Sequence, residues 1–277
     1  MKRVLTACII PAIAFLFAFL LYSFQTQEVE KNETKPLTYH AIKSLKVYNY
    51  ELPAFKLDDQ VFLDNFNSEL DQTYWNIVKR GDNYNNELQY YHPNNVTTSN
   101  GKLKLTAKKE FVRNHYYTSG QITTQDKLSF KYGTIEFRAK VPSGKGLFSA
   151  VWLLPKDKSR KFPEIDILEV IGSQPRTIYM VNHWKNKNET LTDYGTFPIK
   201  DEGFHVYRLD WTEEKLTWFI DEQKIFSTTK QVPQQTMYLL INLAVGGNWP
   251  GEPNEKTVLP NTFELDYIKI YSPSWKE

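Results

Sequence analysis

A chain of 277 residues with 34 basic and 32 acidic side chains, net charge +2, has no block or stripe of positive charge. That argues against a nucleic-acid partner. Its one cysteine, Cys8, lies in an N-terminal apolar run, and His40, His92, His115, His183 and His205 lack ligand spacing, so disulfide, thiol and zinc chemistry are not indicated for the rest of the chain.

Met1-Lys2-Arg3 precedes an uncharged stretch from Val4 to Phe24, the pattern of an export signal. The stretch is about 21 residues, long enough to span a bilayer, and no small-x-small cleavage site follows it. Residues 1–24 are therefore read as a signal peptide or an uncleaved membrane anchor. The remainder is expected outside the cytoplasm, whether secreted, periplasmic or anchored. Residues 25–58 are polar and weakly patterned, a linker with one short strand expected near Val47–Tyr50.

Strand-like runs then recur between turn signals. Leu103–Lys108 alternates, as do Gly133–Val141, Phe204–Trp211, Leu216–Ile220, Met237–Val245 and Phe263–Tyr271. Asn100-Gly101 and Asp221-Glu222 suit hairpin turns. No helix-period segment or internal repeat follows the N-terminal run. The reading is an all-β antiparallel sandwich or barrel, one inner face forming the core and a concave outer face carrying the site. Aromatics make up 15% of the chain, with 7 Trp and 17 Tyr. They suit large sheet faces, and equally a cleft in which flat rings stack on pyranoses.

Glu164-Ile165-Asp166-Ile167-Leu168-Glu169 places three carboxylates in an otherwise apolar strand. Buried there, each costs free energy unless paired or used. Alternation puts Glu164 and Asp166 on one face and Glu169 on the other. A β-bulge at Ile167-Leu168 restores the parity, one residue packing inward and the other being the insertion. At roughly 3.3 Å per residue the two Glu backbones then stand about 13 Å apart, and side chains leaning together close much of that gap. Two carboxyls about 5–5.5 Å apart support glycosidic cleavage with retention, and roughly 6.5–9.5 Å supports inversion. Asp166 between them raises the proton affinity of its neighbours. The bland alternative is a solvated acidic hairpin.

The acids have characteristic company: Asn86-Glu87-Leu88-Gln89-Tyr90-Tyr91, Tyr117-Thr118-Ser119-Gly120-Gln121-Ile122, Phe130-Lys131-Tyr132-Gly133-Thr134-Ile135-Glu136, Ala150-Val151-Trp152-Leu153-Leu154-Pro155 and Asn242-Leu243-Ala244-Val245-Gly246-Gly247-Asn248-Trp249-Pro250-Gly251. In this order they resemble glycoside hydrolase family 16, specifically its laminarinase-like β-1,3-glucanases, from about Phe62 to Tyr271, and residues 59–273 are read as that catalytic domain. The resemblance implies a curved β-jelly roll of the concanavalin A type. It implies Glu164 as nucleophile, Glu169 as acid/base, and Asp166 as the group that holds the nucleophile's protonation state.

Substrate contacts are expected from His183, Trp152, Trp249, Asn248, Asn86, Glu87, Arg138 and Trp184. No cofactor is implied for catalysis. A structural calcium on the convex side, with Asp266 and backbone oxygens near Gly101 as ligands, is a further implication. The expected protein is a monomeric, exported, endo-acting hydrolase of β-glucan, touching membrane only through its N-terminus. Phe148 and Trp184 depart from the family's usual residues, which leaves another polysaccharide (agar-type galactan or mixed-linkage β-glucan) as an alternative substrate. A lectin-like glucan-binding protein is the alternative from another class.

Overall fold

The structure, a computed structural model, describes residues 60–272. The N-terminal apolar run, most of the linker and the expected strand near Val47–Tyr50 lie outside the described residues. Two β-sheets pack face to face in a jelly-roll sandwich. The ten-stranded sheet runs from Gln223–Thr228 through Leu216–Ile220, His205–Trp211, Gly133–Lys140, Asn261–Tyr271, Leu103–Val112 and His115–Ser119 to Gln89–Tyr91. Gln60–Asp64 and Val96–Thr98 are attached beside it. The seven-stranded sheet runs Glu189–Pro198, Thr177–Asn186, Glu164–Ile171, Leu147–Pro155, Met237–Val245, Gln121–Thr123 and Asn76–Ile77. Pairing is antiparallel except where Gln89–Tyr91 meets His115–Ser119 in parallel.

The alternation read from the sequence sets which faces meet. In Leu103–Val112, Leu103, Leu105 and Ala107 are buried while Lys104, Thr106 and Lys108 stay partly exposed. Trp75, Trp211, Trp218, Phe130, Phe137 and Phe263 fill the space between the sheets. Each such side chain contributes about 1.5–3 kcal/mol by leaving water. Met237–Val245 is buried at every position. Its inner side chains meet the core, and Asn242 on the other face lines an outer cleft. The turns fall where the sequence places them. Asn100 and Gly101 have φ of 53° and 64°, Asp221 and Glu222 of 47° and 67°, the doubly left-handed geometry whose twist suits a two-residue hairpin.

Candidate active site

Glu164–Ile171 is an interior strand of the seven-stranded sheet, and its register carries the site. Asp166 pairs with Trp152 but Leu168 pairs with Val151, so two steps on this strand match one on its neighbour. On the other side Asp166 pairs with Val181 and Glu169 with Tyr179, three steps against two. This is the bulge that the spacing demands. It differs from the expectation in one detail: Ile167 and Leu168 both pack into the core, so the insertion adds an apolar contact. Glu164, Asp166 and Glu169 thereby share one cleft. The bulge is also held from behind. Trp218, on Leu216–Ile220 of the opposite sheet, donates its indole N–H to the Asp166 carbonyl at 3.0 Å.

Burial dominates the electrostatics. Asp166 is 2% exposed. Desolvation, then the charges of Glu169 and Glu164, pushes its carboxyl well above the usual range. Burial raises Glu164 to about 7. Burial and the Glu164 charge raise Glu169 to about 8. The three sites titrate as one coupled set. At neutral pH that set retains protons, which is what a general acid beside an ionised nucleophile requires. His183 lies opposite Glu164 across the ladder. Its Nε2 stands 3.6 Å from Asp166 Oδ2, and its Nδ1 meets Thr192 Oγ1 at 2.7 Å. Burial lowers its proton affinity, so the ring is neutral and the acids have no counter-cation there.

The raised carboxyls fix how stability depends on pH. In the unfolded chain both Glu lose their protons near the ordinary value of 4.5, while in the fold they keep them to about 7 and about 8. The fold therefore binds more protons, and stability falls as pH rises from about 4.5 to about 8. Shifts of this size are of order 3–5 kcal/mol. Glu169→Gln is expected to raise Tm by roughly 10 °C at pH 8 and to leave it nearly unchanged at pH 4. Calorimetry that finds the larger gain at pH 4 would contradict the assignment.

Two loops form one wall. Leu88 N–H donates to Val245 O at 2.7 Å and Asn248 N–H to Asn85 O at 2.8 Å. Gly246 (φ +74°) permits this approach, since a Cβ there would meet Leu88 Cγ at 2.5 Å. Glu87 is held by Gln89 Nε2 at 2.8 Å, and Gln89 Oε1 takes the Val245 N–H at 2.7 Å. Trp249, 45% exposed, stands edge-on to Phe148 at 5.4 Å and to Tyr179 at 4.8 Å. Trp152 donates its indole N–H to Asn242 Oδ1 at 2.8 Å.

Of the residues expected around the acids, the cleft gathers His183, Trp152, Trp249, Asn248 and Glu87. Three are placed elsewhere. Arg138 is on Gly133–Lys140 of the other sheet, paired with Asp266 at 2.6 Å and over the Phe204 ring at 4.6 Å, so it does not reach the cleft. Trp184 follows His183 by one residue and so takes the opposite face; it lines a separate groove with Phe162, Pro163 and Gln234. Asn86 donates to Asn248 Oδ1 at 2.8 Å, and Asn85 lines the cleft in its place. Sequence reasoning also passed over Tyr179, Tyr194, Arg80 and Tyr84. The alternation that selects His183 also selects Tyr179, four residues earlier on the same face.

Residues 83–268 match the model of glycosyl hydrolases family 16. The chain is 35% identical to glucan endo-1,3-beta-glucosidase A1 of Niallia circulans, over 79% of this chain and 38% of that protein, so it spans little more than a third of that relative's length. Among solved structures it resembles the endo-beta-1,3-glucanase of Pyrococcus furiosus, with a TM-score of 0.71 and 32% identity over 79% of this chain and 95% of that one. It also resembles the laminarinase of Flavobacterium sp. UMI-01, with a TM-score of 0.67 and 37% identity over 77% of this chain and 100% of that one.

Proposed function

The chain belongs to glycosyl hydrolases family 16, and on that premise we propose that it is a retaining, endo-acting hydrolase of β-1,3-glucan. The observation that carries the proposal is the bulge at Ile167-Leu168, which puts Glu164, Asp166 and Glu169 in one open cleft. The Glu164 carboxylate attacks the anomeric carbon while Glu169 gives its proton to the departing glycosidic oxygen. A glycosyl ester on Glu164 results. Glu169, now ionised, takes a proton from water as the water oxygen attacks the same carbon, releasing Glu164 and restoring the starting protonation. Asp166, buried and protonated beside the nucleophile, can donate a hydrogen bond that favours ionised Glu164. A polymer cut outside the cell accords with the basic-then-apolar N-terminus.

The test is the product profile on laminarin, followed by NMR. The β-anomer of the new reducing end is expected first, with oligosaccharides of mixed length appearing early. An α-anomer released first would overturn the double displacement, and monosaccharide alone would overturn endo action. Cleavage of agar-type galactan or mixed-linkage glucan in place of laminarin would favour the alternative substrate.

We propose a structural calcium as well. Asn67 Oδ1 abuts Gly101, where a Cβ would meet it at 2.9 Å. The ladder pairing Leu265 with Leu103 brings Asp266 into the same neighbourhood. Asp266 Oδ2 is taken by Arg138 at 2.6 Å, which leaves Oδ1 and neutral oxygens for a hard cation. The ion would be structural and take no part in the reaction. A chelator is expected to lower Tm by a few degrees, restored by calcium; an unchanged Tm would remove the site.

A further inference from the structure

The cleft differs in charge along its length. Beyond Glu169 its walls are neutral and aromatic: Phe148, Tyr179, Tyr194, Asn248 and Trp249. Beyond Glu164 they carry cations. Arg80 and Lys161 line the cleft there with the exposed ring of Tyr84. The Arg80 guanidinium stands 5.2 Å from the Tyr84 centroid and the Lys161 ammonium 5.0 Å from it. Lys161 and Phe162 also border the adjoining groove, where Lys185 stands 5.1 Å from the Phe162 ring. Among the described residues Arg80, Lys161 and Lys185 form no ion pair within 4 Å, whereas Lys158 and Arg160 nearby are paired with Asp126 and Asp157. Arg80 lowers the proton affinity that burial raises at Glu87, which accounts for part of its presence. Among the described residues Lys161 and Lys185 have only their ring contacts.

A neutral sugar offers these cations only hydroxyl acceptors in exchange for their water, so it gains little there. A carboxylate, sulfate ester or phosphate on the sugar reverses the balance, because charge-assisted hydrogen bonds compensate the lost hydration. The flanking rings supply the apolar surface for a pyranose. We propose that the Glu164 end of the cleft binds a glucan residue bearing an anionic substituent, while the Glu169 end binds unsubstituted sugar. The inference rests on the hydrolase reading for where the polysaccharide lies.

The test compares laminarin with lightly carboxymethylated and lightly sulfated laminarin, by kcat/KM and by retardation in native gels containing each polymer. Wild type is expected to prefer at least one anionic polymer by five-fold or more at low salt, and the preference should collapse at high salt. Arg80→Gln/Lys161→Gln is expected to bring the anionic-to-neutral ratio down to within two-fold of unity. Lys161→Gln alone, at an exposed position, serves if the double variant fails to fold. Which arm is preferred identifies the anion. A protein that hydrolyses laminarin yet favours neither anionic polymer, by rate or by retardation, sinks this inference and leaves the hydrolase reading intact. If none of the three is hydrolysed, the hydrolase reading fails, and retardation still decides the charged end. An unaltered ratio in the variants also overturns the proposal.

Discussion

Glu164→Ala is expected to lower laminarin turnover by about 10⁴-fold or more, with little change in KM. Removing the nucleophile removes the covalent intermediate and leaves only binding and the residual acid. The two Glu roles are separable by what azide does. In Glu164→Ala the vacated space lies on the face from which the nucleophile attacked. With a β-glucosyl donor carrying a good leaving group, azide entering there gives the α-glycosyl azide, with inversion. In Glu169→Ala the ester on Glu164 still forms from such a donor, because an activated leaving group needs no proton. Azide then displaces Glu164 and gives the β-glycosyl azide, with retention. NMR of the two products decides the assignment, and swapped stereochemistry would exchange the roles. The pH profile adds a check. Glu169→Ala should lose the alkaline limb that wild type shows where Glu169 gives up its proton, near 8.

Deleting Ile165 should abolish activity and destabilise the fold, whereas deleting Ile167 should leave the protein folded and active within roughly two orders of magnitude. Ordinarily one residue lost from a central strand exchanges its faces. The bulge makes position 167 an exception. Without Ile167, Glu164, Asp166 and Glu169 fall at alternate positions of a regular strand, still on one face. The cost is the apolar contact of Ile167, which is 1% exposed, of order 2–5 kcal/mol by analogy with core truncations. Deleting Ile165 instead sets Glu164 directly before Asp166, so one of the two must turn into the core among Leu153, Ile167 and Leu168. Thermal melts and laminarin assays of the two deletions check the contrast. Equal loss in both would mean that the bulge positions Glu169 by something other than parity.

Parity was the most legible property of the sequence. The runs that alternate are strands, the two doubly left-handed turns are where Asn100-Gly101 and Asp221-Glu222 predict them, and the odd spacing between Glu164 and Glu169 demands the irregularity that the register contains. Parity also explains two of the misplacements. It should have separated Trp184 from His183, since neighbours on a strand face opposite ways. It marks Arg138 as an outward residue but is silent on which sheet's outer face it occupies. Between Asn85 and Asn86 it offers no guidance, because both have positive φ (56° and 58°) outside any strand. Trp218 carries no signal, since its donor function depends on what lies across the sandwich, and its pattern is that of any core tryptophan. The cations around Tyr84 were hidden for a related reason. Arg80 and Lys161 are eighty-one positions apart in number, and only the fold sets both against one ring.

The bond from Trp218 to the Asp166 carbonyl has a wider meaning for the molecule. The acids stand on one sheet, but the strand conformation that keeps them in phase is secured from the other. The reactive geometry is therefore a property of the closed sandwich and does not belong to the cleft alone. If the hairpin of Leu216–Ile220 and Gln223–Thr228 frays, the irregular strand loses its rear anchor while every cleft side chain is still present. Damage to the face farthest from substrate is thus felt first as lost turnover, with sugar binding persisting after hydrolysis has stopped.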